Sequence, residues 1–69
     1  MIRCLLATVM QKQGISARYL AKQTGMSRQT IYMLYHNKSI GVEFATLANL
    51  CRILDCLPGD LLEYEPEIT

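Results

Sequence analysis

The sequence predicts an all-α fold, a compact five-helix bundle, on three observations. Apolar residues recur at three- and four-residue steps in successive short segments, the spacing that gives a helix one buried face. Gly14, Gly25, the stretch from Asn37 to Gly41, and Pro58 separate those segments, and each is a helix terminator, turn former or helix starter. A chain of 69 residues buries only about 60% of the surface its unfolded form exposes, so its core has to be small, and a helical bundle meets that limit.

The first helix is expected over residues 2–13, where Ile2, Leu5, Leu6, Val9 and Met10 share a face and Gly14 ends the run. Ser16 supplies a hydroxyl N-cap for a second helix reaching about Gln23, although Tyr19 stands where a glutamate would complete a capping box. Gly25 occupies the position just past that helix, where positive φ is common, and Ser27 caps a third helix running to about Tyr35. Leu20, Ala21, Met26, Ile31 and Leu34 turn inward from these two segments. Two short amphipathic helices joined by a three-residue turn form a helix-turn-helix pattern, which points to DNA.

After the turn NKSIG (37–41), a fourth helix is expected over residues 43–54. Phe44, Leu47, Ala48, Cys51 and Leu54 draw its apolar stripe, Leu50 and Ile53 widen it, and it should be central to the core. Pro58 opens a short fifth helix to about Glu63, whose Leu61 and Leu62 close the bundle. Residues 1–64 are therefore expected to make one domain, with 65–69 as a short acidic tail.

Net charge of +1 conceals two opposed halves. Residues 1–42 carry Arg3, Lys12, Arg18, Lys22, Arg28 and Lys38 and no acid, giving +6; residues 43–69 carry six acids against Arg52, giving −5. The helix-turn-helix lies wholly in the basic half, so one end of the molecule attracts phosphate.

Cys4, Cys51 and Cys56 contain no CxxC pair and are odd in number, which fits reduced, buried thiols in a cytoplasmic protein. His36 is the single histidine, so no metal site is assigned, and no cofactor is expected. The run MIRCLLATVM is cut off by Gln11, Lys12 and Gln13, lacks a small-residue cleavage site and is far shorter than the ~20 residues of a membrane span. No Ser/His/Asp constellation, paired-carboxylate motif or glycine-rich phosphate loop argues for an enzyme.

The stretches LAKQTGMSRQTIYMLY (20–35) and LANLCRILDCLPGDLLEY (47–64) resemble the phage Cro/C1 repressor-like, or XRE, family. That resemblance implies a lambda-repressor-like domain with the helix-turn-helix formed by helices 2 and 3. It implies a transcriptional regulator that binds operator DNA as a homodimer, with the third helix in the major groove. Ser27, Arg28, Gln29 and Met33 match the base-contacting positions, and Tyr32 is a fifth candidate. Arg28 has the fork to pair with guanine O6 and N7, Gln29 can do the same for adenine N6 and N7, and Met33 can pack on a thymine methyl.

Phosphate contacts are expected from Ser16, Ala17, Arg18 and Lys22 at the second helix and from Asn37, Lys38 and Ser39 after the third. Ala17 stands where many members of the family carry glutamine, leaving a backbone donor only. Leu57, Leu61, Leu62, Tyr64 and Ile68 form the expected dimer contact, an apolar surplus outside the helix-turn-helix. The leading function is a repressor that occupies a promoter. The alternative is a protein-interaction module, such as an antitoxin of this fold, for which the acidic C-terminal half is the support.

Overall fold

A computed structural model describes residues 1–67. Its elements run β1 (Ile2–Cys4), α1 (Leu6–Gln13), α2 (Ala17–Thr24), α3 (Arg28–Tyr35), α4 (Phe44–Leu54), α5 (Pro58–Leu61) and β2 (Leu62–Tyr64). The five helices enclose a core of Leu6, Met10, Leu20, Ile31, Leu34, Leu50, Leu54 and Leu61, drawn from every helix.

The expected all-α architecture is corrected at both ends of the chain. Residues 2–4 are a strand, and helix begins only at Leu6, because the backbone of Ile2–Cys4 is committed to pairing with Leu62–Tyr64. The fifth helix stops at Leu61 instead of Glu63, and Leu62 already has the extended values φ −129° and ψ 139°. The two strands pair antiparallel with Ile2 opposite Tyr64, Arg3 opposite Glu63 and Cys4 opposite Leu62. Bonds from the Leu5 amide to the Leu61 carbonyl (2.7 Å) and from the Glu65 amide to the Met1 carbonyl (2.7 Å) extend the ladder past both ends. Glu65, expected in the tail, is thus part of the fold, and it also accepts from Arg3 at 3.2 Å.

Asn37 covers the outer edge of β1. Its Oδ1 accepts from the Cys4 amide at 2.6 Å, and its Nδ2 donates to the Cys4 carbonyl at 2.9 Å, so a side-chain amide does the work of a third strand. The residue holds φ +56°, a left-handed value that asparagine tolerates better than most side chains.

Phe44 is a second correction, being 89% exposed. At about 100° per residue it lies roughly 100° around α4 from the midpoint of Leu50 and Leu54, the two buried residues of that helix. The buried stripe is narrower than the spacing predicts: Phe44 and Ala48 lie outside it, while Leu47, Cys51 and Ile53 flank the core half-buried.

Candidate nucleic-acid interface

The geometry of α2 and α3 is fixed by local chemistry at each bend. Ser16 Oγ accepts from the Tyr19 amide at 3.1 Å and Ser27 Oγ from the Thr30 amide at 3.1 Å, so both helices start on hydroxyl caps. Gly25 takes φ +74° and returns its amide to the Ala21 carbonyl at 2.9 Å, ending α2 where a side chain would be strained. Thr24 Oγ1 bridges the Leu20 carbonyl (2.7 Å) and the Met26 amide (3.2 Å), binding the helix end to the turn.

A further clamp comes from α4. Asn49 Nδ2 donates to the Thr24 carbonyl at 2.7 Å, while Arg52 donates to Asn49 Oδ1 at 2.8 Å and orients that amide. Sequence reasoning passed over both residues; the signal was a half-buried amide facing the turn, which periodicity does not report.

Arg28 and Gln29 stand exposed in the first turn of α3, and neither makes a side-chain hydrogen bond among the described residues. Their donors are free for another molecule. Tyr32 is half-exposed; its ring lies 4.4 Å from that of His36, with Lys38 Nζ 5.4 Å from its centre. Met33 is half-buried on the same helix. Ser27 is exposed, but its hydroxyl serves the cap and meets Thr30 Oγ1 at 2.8 Å.

The residues expected at phosphate divide into available and occupied groups. Arg18, Lys22 and Lys38 are exposed, and the amides of Ala17 and Arg18, first in α2, have no intrahelical acceptor. Ser16 is occupied by its cap. The Asn37 amide is committed to Cys4, and Ser39 Oγ donates to the Gly41 carbonyl at 2.6 Å. Between the start of α2 and α3 lies an open, mainly carbon-lined hollow of about 420 Å³, bordered by Ala17, Arg28, Gln29 and the rings of Tyr32, Tyr35 and His36.

The expected dimer surface is corrected at Leu61, which is 1% exposed and belongs to the core, where the short α5 must bury one side chain to hold to the bundle. Leu62 is half-buried in β2, whereas Leu57 and Tyr64 are exposed. Ile68 lies outside the described residues.

The thiols are half-buried and free. Burial raises the Cys4 pKa, and desolvation, reinforced by Cys51, Asp60 and Asp55, pushes that of Cys56 up to about 11. No cluster of metal-ligating side chains occurs among the described residues.

Comparison with known proteins agrees with this geometry. Residues 6–67 match the family described as Cro/C1-type HTH DNA-binding domain. The chain is 29% identical over 59 residues to the uncharacterized HTH-type transcriptional regulator YozG of Bacillus subtilis (strain 168), covering 86% of this chain and 70% of that protein. It superposes on the crystal structure of a candidate DNA-binding protein from Bacteroides fragilis with a TM-score of 0.82 and 27% identity, covering 91% of this chain and all of that one. With a match spanning all five helices, the chain belongs to the Cro/C1-type helix-turn-helix family of DNA-binding transcriptional regulators.

Proposed function

We propose that the protein is a repressor that binds operator DNA as a homodimer, with α2 and α3 as the helix-turn-helix and α3 lying in the major groove. The observation that carries this reading is the pair Arg28 and Gln29, exposed at the start of α3 with unspent donors on a helix held rigidly by its neighbours. A bidentate contact of either kind is worth about 1–3 kcal/mol of discrimination. Arg18, Lys22, Lys38 and the two free amides of α2 grip the backbone on either side.

Repression follows from occupancy of a promoter, which needs no further domain. Leu57 and Tyr64, exposed on the side built by α5 and β2, supply the self-complementary contact. Selection of binding sites from random duplex DNA, followed by sedimentation of the free protein and of its complex, tests the reading. It predicts a palindromic site with half-site centres about 34–36 Å apart and two protomers per duplex. An unpaired, non-palindromic site bound by a single protomer would overturn the dimer, and absence of any sequence enrichment would overturn the operator.

A further inference from the structure

We propose that Cys51 and Cys56 form a dithiol site for trivalent arsenic, taken up as a neutral arsenical that condenses with both thiols. The site lies at the C-terminus of α4, on residues not assigned to DNA. Backbone geometry pairs the two cysteines. Asp55 ends α4 at φ +50°, and its left-handed turn brings the chain back so that the Cys56 amide donates to the Cys51 carbonyl at 3.1 Å. A closure of this kind sets the side chains of its first and last residues against each other. The Cys56 thiol accordingly lies within hydrogen-bonding reach of the Cys51 thiol, and both side chains are half-buried. Cys4 lies apart, on β1 opposite Leu62.

The chemistry of the pair selects the ligand. Desolvation, reinforced by Cys51, Asp60 and Asp55, holds the proton on Cys56, so a metal cation that must displace protons binds at a cost. Two thiols also fall short of the donor set of a zinc site. An arsenical bearing two As–OH groups reacts with the protonated thiols instead. At each sulfur an As–S bond and an O–H bond form, an As–OH bond and an S–H bond break, and one water leaves. No electron is transferred and no net charge is buried. Trivalent arsenic is pyramidal and holds its two sulfurs side by side, as adjacent thiols already are, whereas the linear coordination preferred by Cu(I) and Hg(II) would force them apart. A hollow of about 390 Å³ at Cys56, bordered also by Val9 and Lys12 of α1 and by Gly59 and Asp60 of α5, leaves room for the third substituent on arsenic.

The test adds phenylarsine oxide to the reduced full chain in the absence of competing thiol. Intact mass should show one phenylarsenic group per chain, and alkylation should find Cys51 and Cys56 protected relative to the free protein, with Cys4 labelled in both. Cys51→Ser and Cys56→Ser, checked for folding by their thermal melts, should each weaken binding roughly hundred- to ten-thousandfold, because the second bond is no longer intramolecular. Cys4→Ser should bind as the unmodified sequence does. Affinity should be nearly flat between about pH 6 and pH 8, since water and not a proton leaves.

Alkylation of Cys51 or Cys56 that is as fast in the adduct as in the free protein would overturn the site, and this comparison decides the matter if a serine variant does not fold. So would either serine variant that folds and binds as tightly as the unmodified chain. An affinity climbing roughly hundredfold per pH unit would show both thiols binding as anions and would overturn the condensation chemistry.

Discussion

The α2–turn–α3 unit and the terminal sheet are both held by hydrogen bonds, but over very different lengths of chain. The Ser16, Thr24 and Ser27 hydroxyls and the Gly25 amide each bond within four residues of themselves, with Asn49 on the Thr24 carbonyl as a longer-range clamp, whereas Met1 to Leu5 bond to Asn37 and to residues 61–65. Local bonds form at little loop-closure cost, while the sheet forms once the helices between have packed. The bends of α2 and α3 are therefore held mainly by their own chemistry, whereas the sheet joins residues 1–5 to 61–65 across the whole bundle.

Substitutions at the two regions should separate these roles. Leu20→Ala, which empties a fully buried site in α2, is expected to cost about 2–5 kcal/mol in chemical denaturation and to weaken both regions together. Asn37→Ala removes both bonds to Cys4 and should cost about 1–3 kcal/mol, with the salt dependence of DNA binding unchanged. Lys38→Ala, by contrast, should lower that salt slope by about one while leaving stability nearly as it was. If Asn37→Ala lowers the slope as well, its amide contacts phosphate after all.

Ser27→Ala should destabilise by about 1 kcal/mol through loss of the cap, with hydrogen exchange rising first in the opening turn of α3. The smallest effect belongs to Arg3→Gln. Its ion pair with Glu65 is half-exposed on both sides, so about 0–1 kcal/mol is expected, and less in high salt. A larger loss would mean that the sheet depends on charge and not on its backbone ladder.

What could be read from the sequence follows the same division. Ser16, Gly25 and Ser27 announce caps and a turn through their own chemistry, and the structure uses each in that way. Ile2, Leu5 and Leu6 satisfy helical spacing while Ile2, Cys4 and Leu6 satisfy strand alternation, and nothing nearby in sequence discloses that residues 2–4 have β2 for a partner. Asn37 was legible as a left-handed turn residue, but the acceptor and donor awaiting its amide were not. Within the candidate site, residue types announced the exposed polar and basic side chains of Arg18, Lys22, Arg28, Gln29 and Lys38. They could not show that the hydroxyls of Ser27 and Ser39 and the amide of Asn37 are already bonded, nor that Asn49 and Arg52 reach from α4 to hold the turn.

The central claim is that α3 reads bases through the side chains left free at its first turn. Titration of Arg28→Ala against the selected operator and a scrambled duplex, at one fixed salt concentration, tests it most directly. The account predicts a loss of about 1–3 kcal/mol on the operator, a much smaller change on the scrambled duplex and an unchanged melting temperature. Equal losses on both duplexes would reduce Arg28 to a phosphate contact and contradict the claim.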